Sequence, residues 1–226
     1  MTLPRPLEKL IPSYGRWPLL LALAFQFLCY FGTKLVAVSW PHHVMETALD
    51  RAIPLVPWTV AVYCGAFLFW AVNYILAVRQ GQANAMRFLA ADTAGKLVCF
   101  VVFLALPTTV TRPEVPAGGF FSWVMALVYA ADTPVNLFPS LHCFCSWLCW
   151  AGIRGQRDVP RGYRVFSLIM TLAVGVSTLT TKQHVIVDVV AGFALAELCW
   201  QAAGHTKLSA WYGAAVRRLS REKVSN

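Results

Sequence analysis

The sequence predicts an all-α fold, a polytopic bundle of six transmembrane helices. Three observations predict it. Of 226 residues, 58% are hydrophobic and only 13% charged, and the mean hydropathy is +0.58; a soluble domain of this length needs a larger charged surface. Apolar runs near the ~20 residues that cross a bilayer recur along the whole chain. The cations gather in alternate connections, as the orientation of a multi-pass protein requires.

The expected spans are Trp17–Trp40, Trp58–Val78, Phe88–Val110, Phe138–Ile153, Val165–Thr181 and Val185–Ala203. The first starts too late, and is too long, for a cleavable signal peptide. Lys34 and Lys96, inside the first and third spans near their ends, are expected to snorkel. The fourth is short; before it, the apolar stretch Phe120–Ala131 reads as a short helix lying on the surface or dipping in. Backbone groups in lipid must be paired internally, so these runs are helices and not open strands. The chain reads as one integral membrane domain over residues 1–226, with no internal repeat.

Orientation follows from the loops. Arg5, Lys9 and Arg16 precede the first span; Arg79 and Arg87 follow the second; Arg154, Arg157, Arg161 and Arg164 follow the fourth; Lys207, Arg217, Arg218, Arg221 and Lys223 form the tail. The other side carries only Arg51, Arg112 and Lys182. Both termini are therefore expected in the cytoplasm, and the short loops favour a bacterial plasma membrane. The net charge of +9 reads as orientation and attraction to anionic membrane lipids, because no basic patch is interleaved with aromatics as a nucleic-acid surface would be. The seven cysteines all lie in apolar stretches without a C-x-x-C pair, as small buried hydrophobes do.

With this direction, three distant stretches deliver polar groups to the outer face: Arg112 after the third span, Ser140 and His142 at the start of the fourth, and Lys182 and His184 between the fifth and sixth. His184 and Asp188 are four residues apart in HVIVD, which stacks them on one side of a helix. A carboxylate there accepts one imidazole N–H and leaves the other nitrogen as nucleophile or base; a charge within a span is costly unless paired. A hydrogen bond with no chemical role gives the same spacing, but a second histidine and two cations on the same face argue for chemistry. In Pro139-Ser140-Leu141-His142 the proline suits a first helical turn, and the next N–H groups are placed to meet an anion; an ordinary proline start with an interfacial histidine is the plainer reading. Together these groups read as a cradle for a phosphate, with one histidine to attack and one to protonate. Glu197, Asp132 and Asn136 read as packing and turn residues, and His42, His43 and His205 remain unassigned.

Within residues 107–192 this set resembles the type 2 phosphatidic acid phosphatase (PAP2) superfamily, whose motifs are K-x6-R-P, P-S-G-H and S-R-x5-H-x3-D. Arg112-Pro113 stands for the first, with Ala105 at the lysine position; Pro139-Ser140-Leu141-His142 for the second, with Leu for Gly; Ser177-Thr178, His184 and Asp188 for the third, with Thr for Arg. The resemblance implies a PAP2-like bundle in which His184 is the nucleophile that becomes phosphorylated, Asp188 orients it and His142 is the general acid. It implies that Arg112, Ser140 and Ser177 hold phosphate oxygens. Lys182 is the expected substitute for a missing cation. A basic residue there also resembles the sphingolipid synthase branch, including inositol phosphorylceramide synthases, which transfer a phosphate-containing headgroup to an alcohol. The implied function is hydrolysis of a phospholipid or polyprenyl phosphate at the outer face, with lipid phosphotransfer as the alternative. The implied chemistry needs no cofactor and no metal, although a metal or non-catalytic binding site built on His142, His184 and Asp188 stands as a third reading. The sequence carries no signal for the lipid or the oligomeric state.

Overall fold

The structure, a computed structural model, describes residues 10–222; Arg5, Lys9 and Lys223 of the charge argument lie outside them. Helix α1 (Ser13–Phe27) runs through a π-helical turn, Leu28–Gly32, into α2 (Thr33–Ala37), so that one apolar rod of 25 residues is formed. A loop then carries β1 (His43–Val44), α3 (Ala48–Ala52) and a 3₁₀ turn, Pro57–Thr59, into α4 (Val60–Arg79). Gly81, at φ +95°, supplies the left-handed turn into α5 (Gln82–Ala105) that a side chain would disfavour. There follow β2 (Thr108–Thr109), α6 (Phe120–Ala131), α7 (Leu141–Arg154), α8 (Arg161–Thr180), α9 (Ile186–His205) and α10 (Leu208–Glu222). The two short strands pair in parallel, His43 opposite Thr108, and tie the two longest loops together on the side of the bundle where α7 begins.

The chain is an all-α membrane helix bundle. Among the described residues, five helices are long and apolar enough to cross a membrane: Ser13–Ala37, Pro57–Arg79, Gln82–Ala105, Arg161–Thr180 and Ile186–His205. The expected fourth span is α7, with only 14 residues, about 21 Å at ~1.5 Å per residue. It is short because it is the hub: ten of those residues are buried, against α9, α8, α4 and α5. A helix surrounded by protein need not match the bilayer. The stretch before it is indeed a short helix, α6, whose Phe120, Trp123 and Leu127 are exposed while Met125 is buried.

Close helix approach depends on glycine. A Cβ on Gly192 of α9 would lie 2.5 Å from the Ser140 carbonyl oxygen at the head of α7. One on Gly95 of α5 would lie 2.1 Å from the Phe144 ring. Small residues at such crossings let apolar helices pack where lipid gives no hydrophobic drive.

One expectation is overturned. Lys96 does not snorkel: it is 2% exposed, with its Nζ 2.8 Å from Asp92 Oδ2 one turn away. Tyr74 donates its hydroxyl to Asp92 and accepts from Lys96. The sequence places Lys96 about 14 Å from the end of α5 at ~1.5 Å per residue, too deep for its stem to reach water, so the ammonium is neutralised in place. Lys34 is paired with Asp132 at 2.9 Å. Six cysteines are buried and Cys64 is half-buried, all as free thiols. Glu197 packs α9 on α7 through a two-pronged pair with Arg154, at 2.7 and 2.9 Å, and accepts the Trp147 indole N–H.

Candidate active site

The site is built where α7 and α9 begin. Ser140 caps α7, its Oγ accepting the Cys143 N–H at 3.3 Å. Its own N–H donates to the Asp188 carbonyl, 3.1 Å away, which pins the head of α7 to the first turn of α9. The peptide bond before Pro139 is cis. The Leu137 and Phe138 N–H groups both donate to Thr108 Oγ1 at 3.0 Å, so β2 holds the approach to α7. Thus the Ser140 amide is engaged with a protein carbonyl and does not point free toward an anion.

His184 sits in the turn between α8 and α9. Its N–H and that of Gln183 donate to the Thr178 carbonyl, and Lys182 takes a left-handed conformation, φ +54°, to make the reversal. The His184 ring is 8% exposed, with Nδ1 3.3 Å from Asp188 Oδ2. The same carboxylate oxygen accepts the Val185 N–H at 3.0 Å, which fixes it at the N-terminus of α9, where a negative charge is favoured. With Nδ1 facing the carboxylate, Nε2 is the nitrogen left for chemistry.

His142, in the first turn of α7, lies across from it, ring centroids 6.0 Å apart. Its ring stacks on Tyr63 at 4.3 Å and is flanked by Trp70 and Phe67. These aromatics of α4 fix its orientation. Arg112 reaches the site through Gln183, the residue before His184. It donates to Gln183 Oε1 and to the Asp132 carbonyl, and its guanidinium lies 4.7 Å over the Tyr129 ring. Burial pulls the Arg112 guanidinium down from its ordinary value, opposed by the Asp132 charge beside it.

Several of these groups keep unused hydrogen-bonding capacity. Among the described residues, His142 Nε2, Arg112 Nε, Gln183 Nε2 and Asp188 Oδ1 are buried without a partner. Buried polar atoms are nearly always paired; these four, out of ten such atoms among the described residues, stand on the histidines and their neighbours and leave hydrogen-bonding capacity there for a polar ligand.

The other sequence candidates lie differently. Lys182 Nζ donates to the Asp50 carbonyl at 2.8 Å, in the loop before α4. The Ser177 hydroxyl returns to its own helix, donating to the Val174 carbonyl at 2.7 Å. Neither side chain is joined to the histidines. Conversely, four residues near the site carry no signal in the sequence, or only that of a turn. Gln183 bridges to Arg112. Asp132 holds Lys34, lies 3.9 Å from Arg112 and accepts the Tyr30 hydroxyl. Tyr63 stacks on His142. Asp50 accepts the Ile186 N–H at 2.7 Å and the Thr47 N–H and hydroxyl, so it clasps the start of α9. Only the capping pattern Thr47-x-x-Asp50 was a legible signal; the rest depends on chain crossings. No group of three or more His, Cys, Asp or Glu side chains gathers as a metal cluster among the described residues.

No curated protein and no solved structure matches the chain. A family model does: residues 34–202 match that of the PAP2 superfamily. The match runs through α2 to α9 and includes both histidines, Asp188 and Arg112, so the comparison and the geometry fall on the same part of the bundle, and the chain belongs to the PAP2 superfamily.

Proposed function

We propose that this protein is an integral membrane enzyme that hydrolyses a lipid phosphate through a phosphohistidine on His184. Superfamily membership supports phosphatase-type chemistry on a lipid phosphate. The observation that carries the finer reading is the pair of imidazoles 6.0 Å apart, one backed by a carboxylate and the other walled by aromatics.

His184 Nε2 attacks phosphorus, the P–N bond forms and the bond to the leaving oxygen breaks, and His142 gives that oxygen a proton. Water then attacks the phosphohistidine while His142 takes its proton, and the P–N bond breaks to release phosphate. Asp188 holds the His184 tautomer and stabilises the ring as it becomes charged. Arg112, supported by Gln183, stabilises the charge on the transferring group. Ser140 and Ser177 serve by shaping the two helix ends, and Lys182 by anchoring the nucleophile turn to Asp50. The site faces the outer side of the membrane, opposite the cation-rich loops.

Purified protein incubated with a radiolabelled lipid phosphate tests this. Wild type is expected to release inorganic phosphate, unaffected by chelator, and to carry transient label on His184. His184→Ala is expected to lose at least about 10³-fold in kcat, and His142→Ala about 10²–10⁴-fold, with helix content unchanged. Unchanged turnover in His184→Ala would overturn the reading. A labelled phosphodiester lipid in place of free phosphate would assign the same residues to phosphotransfer.

A further inference from the structure

A cavity of about 770 Å³ lies between α1, α4 and α7, with Asp132, Tyr63 and His142 on its wall. Resting on the lipid phosphate reading above, we infer that this cavity holds the hydrocarbon tail of the substrate, and that the tail is longer than one membrane leaflet, as a polyprenyl chain is and a glycerolipid acyl chain is not.

Continuity with the site comes first. His142 is shared: one side of its ring faces the cavity, and His184 lies 6.0 Å away. A phosphate between the two rings would therefore leave its chain in the cavity. Lys34 and Asp132 also border it at this end, which keeps the polar groups beside the headgroup.

Length comes second. The cavity follows the first rod from Lys34 at the site end past Phe27 and Leu23 to Arg16. Eighteen residues of helix correspond to about 27 Å at ~1.5 Å per residue, nearly the ~30 Å hydrocarbon core, whereas one leaflet is about half that. An acyl chain anchored at the site would stop near the midplane and leave the Arg16 half unfilled. A chain crossing the midplane fills it.

The lining comes third. Leu20, Leu23, Phe27, Phe67 and Ala71 make the wall apolar. Two deep polar groups lie on it: Lys96 is neutralised by Asp92, and Gln26 accepts the Cys145 thiol on its Oε1, so the wall presents no unpaired charge to a hydrocarbon.

The test has a labelling arm and a kinetic arm. His184→Ala protein in vesicles is given a polyprenyl phosphate bearing a diazirine near the far end of its chain. Label is expected on α1 between Arg16 and Leu23, displaced by unlabelled polyprenyl phosphate. Label that excess ligand does not displace would assign the cavity to bulk lipid. Cross-linking to another copy of the chain would assign it to an oligomer interface. Either result overturns the inference. In the kinetic arm, Ala71→Trp and Leu23→Trp are expected to lower the ratio of kcat/KM for polyprenyl over short-alkyl phosphate about tenfold or more. Leu172→Trp, exposed on α8 away from the cavity, should leave that ratio alone. An unchanged ratio in both cavity variants sinks the idea. The two readings fail separately: displaceable label on α1 without turnover by wild type would retain the chain site and reject the phosphatase, and turnover indifferent to chain length would do the reverse.

Discussion

At the residue scale, the candidate site is held together by carboxylates. Asp188 touches both the His184 ring and the Val185 amide, so it sets the tautomer and the ring's direction together. Asp188→Asn is therefore expected to lower kcat about 10²–10⁴-fold with little change in KM, measured with a lipid phosphate. Asp50 does a different task, bonding the Ile186 amide and receiving Lys182 on its carbonyl. Burial works to raise its pKa, but the bonds from Thr47 and Ile186 and the Lys182 charge outweigh it, and the carboxyl is held below its ordinary value. A depressed carboxyl contributes stability above its unfolded pKa, about 3.9, and loses it as pH falls through the folded value. The clasp is thus complete at neutral pH and opens only under acid below about pH 4. Hydrogen exchange of the Lys182–Ile186 turn should rise there in wild type. In Asp50→Asn exchange should already be raised at pH 7 and should lack the acid step. Of these residues, the His184–Asp188 pair was legible in the sequence as a spacing of four, although His184 lies in the turn before α9 and not on the helix, and Asp188 reaches back to it from the first helical turn. The Asp50 contact was not, because 136 positions separate it from Ile186.

At the element scale, α7 organises the bundle, and the buried charges of the neighbouring helix α5, Lys96 and Asp92, are paired with each other. Removing one charge leaves the other in an apolar interior, so Lys96→Met is expected to destabilise by about 3–5 kcal/mol. The double variant Lys96→Met/Asp92→Leu should recover most of that loss; thermal unfolding in detergent reads both. The short length of α7 and the surface helix α6 were visible as short apolar runs, since hydropathy reports length directly. The pairing of Lys96 was not legible, because hydropathy averages over a window and cannot separate a lysine that reaches the interface from one paired in place.

At the scale of the whole molecule, composition and cation asymmetry predict one orientation: termini and the α4–α5 and α7–α8 loops inside, the site outside. A single reactive cysteine at Glu114 is expected to react with an impermeant reagent in intact cells, and one at Arg157 only after permeabilisation; the opposite pattern would invert the topology. The all-α class was readable from the chain alone, because burial in lipid constrains every residue of a span and leaves a local, repeated signature. So were the two histidines and Asp188, whose spacings survive in order along the sequence. Folding in three dimensions was needed to bring Arg112 to Gln183, to lay Tyr63 under His142, to turn Lys182 toward Asp50, and to open a cavity along the first rod. Those relations are made by helices crossing one another, and a crossing depends on which side chains interlock at a distance, a property that no local stretch of residues carries.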